Sequence, residues 1–123
     1  MTQEIERAVV LIVEDEPLVR MLGADVLEEA GFEVVEAFNG DEALEVLEAR
    51  PDINVLFTDV NMPGSLDGLD LARVVHERRP DIKLLIASGQ VRLSEDQIPD
   101  AGRFLAKPYG PEAIVRHVRE LIA

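Results

Sequence analysis

The chain has 123 residues, 47% of them apolar, enough to bury one sizeable core and too few for a second domain. Its formal charge of −13, from 12 basic and 25 acidic residues, would repel a nucleic-acid backbone, so a protein partner or a cation fits better. The absence of cysteine excludes a disulfide frame, a zinc-thiolate site and a thiol nucleophile, and two separated histidines cannot build a metal cage. Any metal is therefore expected on oxygen ligands. No run approaches the ~20 apolar residues of a membrane span. The start Met1-Thr2-Gln3-Glu4 also lacks the basic-then-apolar order of a signal peptide. A cytoplasmic protein with one domain over residues 1–123, and no output domain, is the expectation.

Val9-Val10-Leu11-Ile12-Val13 is a continuous aliphatic run, the pattern of a strand buried on both faces of a parallel sheet. Pro17 suits the first turn of a helix, in which Val19, Leu22, Val26 and Ala30 recur at three- or four-residue steps before a stop at Gly31. Met21 and Leu22 of this helix are read as core in preference to a docking surface for a partner. Phe32 to Ala37 is mixed in character and predicts an edge strand, followed by a break at Asn39-Gly40 and a helix carrying Ala43, Leu44 and Leu47. A third strand is expected from Ile53 to Thr58, a helix from about Asp67 to Arg78, and a fourth strand from Ile82 to Ala87, with Pro80 separating the last two.

Between Gly89 and Ala101 the pattern fails. Ser94-Glu95-Asp96-Gln97 allows about one helical turn before Pro99. A short strand from Arg103 to Ala106 then leads to a last helix that opens at Pro111 and buries Ile114, Val118, Leu121 and Ile122. His76 and His117 fall in helical segments and read as exposed polar residues rather than ligands. The alternation of strands and helices implies right-handed crossovers and a mostly parallel sheet covered on both faces.

In open parallel sheets functional groups gather at the carboxyl ends of the strands. Here the first strand ends in Glu14-Asp15, the third in Asp59, the fourth in Ser88 and the fifth in Lys107. Each is unremarkable alone: an acidic pair often decorates a helix N-terminus, an Asp or a Ser-Gly often makes a turn, and a lysine is usually on the surface. Their joint placement is the signal. Three carboxylates at one edge repel one another unless a cation neutralises them. Magnesium suits that role, since it takes oxygen ligands and is typically shared between one or two carboxylates and a phosphate. Lys107 then supplies a positive point charge and Ser88 a hydroxyl donor for a transferring phosphoryl group, leaving Asp59 as nucleophile.

Four segments, Leu11-Ile12-Val13-Glu14-Asp15-Glu16, Phe57-Thr58-Asp59-Val60-Asn61-Met62-Pro63, Ala87-Ser88-Gly89 and Ala106-Lys107-Pro108, occur in this order and spacing. With them the chain resembles the receiver domain of two-component response regulators, in its single-domain, chemotaxis-type form, from about Val9 to the last helix. The resemblance implies a flavodoxin-like α/β fold: a doubly wound five-stranded parallel sheet of order 2-1-3-4-5, helices on both faces, and here a short or irregular fourth helix. It implies Asp59 as phosphoacceptor, Glu14 and Asp15 as the acidic pocket with Glu14 acting through a coordinated water, and Mg2+ held by Asp15, Asp59 and the backbone carbonyl of Asn61. Ser88 would turn its hydroxyl toward the phosphoryl group, Phe104 would rotate inward behind it, Lys107 would bond a phosphoryl oxygen, and the Lys107-Pro108 bond would be cis.

The implied partners are a histidine kinase or histidine phosphotransfer protein as donor and a downstream protein as target. The domain would catalyse its own modification without being a conventional turnover enzyme. The loop Pro63-Gly64-Ser65-Leu66-Asp67-Gly68 looks one residue longer than usual, and the interval from Ser88 to Lys107 a few residues shorter. Gln90 stands where family members tune the approach of the hydrolytic water, and Tyr109 could serve partner recognition or cover the last helix. Two other readings compete. An aspartyl phosphatase of the haloacid dehalogenase type would need a second Asp where Asn61 stands, and an interaction module independent of phosphorylation would not need the complete set of strand-end residues.

Overall fold

The computed structural model describes residues 7–89, 97–99 and 102–123. Its strands are β1 (Val9–Val13), β2 (Glu33–Ala37), β3 (Val55–Asp59), β4 (Lys83–Ser88) and β5 (Arg103–Ala106), and its helices α1 (Pro17–Glu29), α2 (Gly40–Ala49), α3 (Gly68–Arg78) and α4 (Pro111–Ile122). The strands pair in parallel in the order β2-β1-β3-β4-β5. The fold class expected from the sequence is the one observed. None of the helices of the described residues is long and apolar enough to cross a membrane.

Alternation along the central strands builds two cores. Leu11, Leu56, Leu84 and Ile86 face Ala43 and Leu47 of α2 and Leu71 and Val75 of α3. Val10, Ile12, Val55, Phe57 and Leu85 face Ala24 and Leu27 of α1 and Ile114 and Val118 of α4. A fully buried aliphatic side chain such as Leu11 or Leu56 contributes about 1.5–3 kcal/mol on transfer from water. The helices start where the chain supplies partners for their free N–H groups. Asn39 Oδ1 accepts from the Glu42 N–H at 2.8 Å, and Asp67 and Asp70 cap α3 reciprocally. Pro17 and Pro111 open α1 and α4.

Four expectations are corrected. α1 buries Gly23, Ala24 and Leu27, whereas Met21 and Leu22 are 52% and 58% exposed, so these two are surface and not core. The reason is close packing: a Cβ on Gly23 would stand 2.7 Å from Ile12 Cδ1, so the helix lies on the sheet through its smallest residues and turns Leu22 outward. Ile122 is 38% exposed at the end of α4. β3 starts at Val55 rather than Ile53, and β4 runs Lys83–Ser88. His76 and His117 are half-buried, not exposed. The expected fourth helix lies largely outside the described residues; within that interval, Ile98 is buried against the α2–α3 side of the core.

Candidate functional site

Parallel pairing sends the carboxyl ends of all strands to one edge, and ladder-like hydrogen bonds hold the residues that leave it. The Glu14 N–H donates to the Ala37 carbonyl at 3.1 Å, the Val60 N–H to Ala87 at 3.0 Å and the Lys107 N–H to Ser88 at 3.0 Å. Glu14 and Asp15 therefore follow β1 directly, Asp59 and Ser88 end β3 and β4, and Lys107 follows β5. Glu14, Asp59 and Ser88 are buried, at 6%, 9% and 2% exposure. Asp15 and Lys107 are half-buried, while Asn61 is exposed on the loop after β3.

The side chains converge. Lys107 Nζ stands 3.2 Å from Asp59 Oδ1 and 3.4 Å from Glu14 Oε1. Glu14 Oε2 accepts the Glu16 N–H at 3.2 Å. Glu14, Asp15 and Asp59 each offer a carboxylate oxygen, all within 4.8 Å of one another. Burial pushes the Asp59 carboxyl above its ordinary range; Lys107 pulls it down, and Asp15 raises it further. The Glu14 carboxyl is raised by burial too, against the Glu16 N–H and Lys107 and with the help of Asp59 and Asp15. Burial works against the Lys107 charge, but Asp59 and Glu14 outweigh it and raise its pKa.

One ammonium thus leaves two neighbouring carboxylates under-neutralised. A cluster of oxygen donors with surplus negative charge, half open to water at Asp15, has the donor chemistry for a hard divalent cation that keeps part of its hydration shell. The residues fit magnesium.

The response regulator receiver domain family matches residues 10–119. The chain belongs to that family. It is thereby a receiver domain of two-component signalling, as the resemblance implied. It is 33% identical over 116 residues to the response regulator receiver protein CpdR of Brucella abortus, covering 92% of this chain and 95% of CpdR. It is also 33% identical over 117 residues to the chemotaxis protein CheY of Thermotoga maritima, covering 91% of this chain and 95% of CheY. With the sensor kinase CckA of Brucella abortus it shares 37% identity over 122 residues, 94% of this chain but only 12% of the kinase. The crystal structure of the receiver domain from hybrid histidine kinase CckA superposes with a TM-score of 0.82 at 31% identity, covering 94% of this chain and all of that one.

One further expectation is borne out. The Lys107-Pro108 bond is cis. Phe104 is half-buried against the core on the α2–α3 side. Tyr109 packs on the opposite side, its ring centroid 6.1 Å from that of Phe57, so it covers β3 just below Asp59 as well as the start of α4.

Two residues of the site escaped the sequence reading. A Cβ on Gly68 would run into the Asp59 carbonyl oxygen, so α3 approaches the Asp59 backbone as closely as only glycine permits. Arg20 bonds the Glu14 carbonyl from α1 at 2.8 Å. Both act on main-chain atoms, and no pattern of side-chain types announces that.

Proposed function

We propose that this receiver domain takes a phosphoryl group onto Asp59 from a phosphohistidine of a sensor kinase or phosphotransfer protein, in a magnesium-dependent step, and thereby switches its contacts with another protein. The observation that carries the reading is the buried Asp59 carboxylate, 3.2 Å from Lys107 Nζ and within 4.8 Å of the Glu14 and Asp15 carboxylates. Support also comes from a family neighbour. The response regulator TrrA of Thermotoga maritima was crystallised in complex with Mg(2+)-BeF, and it superposes on this chain with a TM-score of 0.79 at 26% identity.

In the proposed reaction an Asp59 carboxylate oxygen attacks phosphorus in line, the P–N bond to the donor imidazole breaks, and the imidazole leaves with the electron pair and takes up a proton. Lys107 holds a phosphoryl oxygen with its ammonium, and the Ser88 hydroxyl donates to another. Asp15, Asp59 and the Asn61 carbonyl would hold the magnesium, with Glu14 reaching it through water. When bound, the ion would neutralise phosphoryl oxygens and the acidic pocket together. Burial of Asp59 and Ser88 would limit the access of bulk water to the new acyl phosphate. The added charge at residue 59 would then bias the packing of β4, β5 and Phe104.

The donor protein would dock over this edge. Leu18, Met21 and Leu22, at 68%, 52% and 58% exposure on α1, supply the apolar surface such a partner would cover. A net charge of −13 favours a protein target over nucleic acid. The domain acts on itself and is not a conventional turnover enzyme.

The test is incubation with magnesium and a small acyl phosphate, followed by intact mass. Gain of one phosphoryl group, lost in Asp59→Ala and in the presence of a chelator, is the expected result. Absence of any adduct, or steady release of phosphate from a generic phosphomonoester, would sink the proposal.

A further inference from the structure

Arg20 lies in the first turns of α1, its N–H bonded to the Glu16 carbonyl at 2.9 Å. Its guanidinium is divided between two elements. Nη1 donates to the Glu14 carbonyl oxygen at 2.8 Å, and Nε to Glu36 Oε1 on β2 at 3.0 Å. The side chain is only 19% exposed, against 42% for Glu36, so the arginine is enclosed between the acidic turn and the edge strand.

The bond to Glu14 matters because of which peptide it holds. The Glu14 carbonyl belongs to the planar unit that carries the Asp15 nitrogen and Cα. Fixing its direction fixes the plane from which the Asp15 side chain departs. Glu14 is restrained separately, by its own N–H to Ala37 at 3.1 Å and by the Glu16 N–H to its Oε2 at 3.2 Å. Arg20 thus restrains the next link, and it does so through a main-chain oxygen and Glu36, leaving the carboxylates of the pocket to other partners. Lys107, in contrast, bonds the pocket carboxylates directly. A planar fork can serve two acceptors at fixed angles, which a single ammonium on a flexible stem cannot.

We propose that Arg20 is a positioning residue for the acidic pair: anchored on Glu36, it orients the peptide between residues 14 and 15 and presets Asp15 for the cation. This rests on the reading of Glu14, Asp15 and Asp59 as a magnesium pocket. It makes the edge strand β2 part of the determination of metal affinity. Groups that orient metal ligands from behind typically account for roughly 10–100-fold in affinity.

Calorimetric titration of the intact chain with MgCl2 tests it, using Arg20→Met, Arg20→Lys and Glu36→Gln. Arg20→Met is expected to weaken magnesium about 10-fold or more, and the other two to fall between it and the parent. Because the pocket residues themselves are intact, the magnesium concentration for half-maximal phosphoryl uptake from an acyl phosphate should rise while the plateau rate is regained at saturation. Parent-like magnesium affinity in Arg20→Met, or a lowered plateau with an unmoved half-saturation point, would overturn the proposal. If Arg20→Met fails to fold, parent-like affinity in Glu36→Gln does the same. A folded parent that binds no magnesium would instead overturn the reading of the pocket, and this proposal with it.

Discussion

Asp59 ionises against its surroundings. Its carboxyl is raised from the ordinary value of 3.8 by burial in spite of Lys107, so in the folded chain the charged form is disfavoured relative to the unfolded one. The sign follows from linkage: a carboxyl with a raised folded pKa destabilises the fold as pH climbs from the unfolded pKa through the folded one. Asp59→Asn is therefore expected to melt a few degrees higher than the parent in a chelator at neutral pH. That advantage should grow from about pH 4 upward and vanish when magnesium is added, because the cation stabilises only the parent's pocket. A thermal melt of both proteins across pH, with and without the ion, checks it.

Gly68 offers a steric counterpart. With a Cβ driven into the Asp59 carbonyl oxygen, Gly68→Ala must shift α3 or the end of β3. The expected cost is about 1–3 kcal/mol by urea unfolding, with slower phosphoryl uptake. Tyr109 gives a third residue-level check, since it is the sole tyrosine and there is no tryptophan. Burial raises its hydroxyl above 10.0, with Lys107 opposing and Glu14 and Asp59 assisting. Absorbance of the phenolate should rise only above pH 10, and stability should fall there in the parent but not in Tyr109→Phe.

At the scale of elements, the capping of α3 is the feature most open to test. Asp67 Oδ1 accepts the Asp70 N–H at 2.8 Å, and the same helix start presses Gly68 against β3. Asp67→Ala should cost about 1 kcal/mol in chemical denaturation. The strands were legible because each central one is built on an apolar run, and the site was legible because Glu14, Asp59 and Ser88 stand at or just past the end of such a run. The buried face of α1 was not legible. Helical periodicity credits Leu22, but contact distance rewards Gly23 and Ala24, and the larger residue is displaced to the surface. Arg20 and Gly68 were illegible for a related reason: what they touch is backbone, and backbone looks the same under every sequence.

Across the molecule, the parallel order β2-β1-β3-β4-β5 places β1, β3 and β4 side by side at the centre. Their ends meet at the reversal point between β1 and β3, where Glu14, Asp15 and Asp59 cluster. The acidic pocket is the local form of a global imbalance of −13, concentrated where one lysine cannot cancel it. In the proposed function a divalent cation would offset that imbalance, and the phosphoryl group held by Lys107 would then add negative charge at the same edge. The most direct measurement is to load the protein from a phosphorylated histidine donor with magnesium, reduce the acyl phosphate with borohydride, and sequence the peptides by mass spectrometry. Reduction to homoserine at residue 59 alone is predicted; homoserine at residue 15, 2-amino-5-hydroxyvalerate at residue 14, or no reduced residue at all under conditions where the donor loses its phosphoryl group, would contradict the assignment of Asp59 as acceptor.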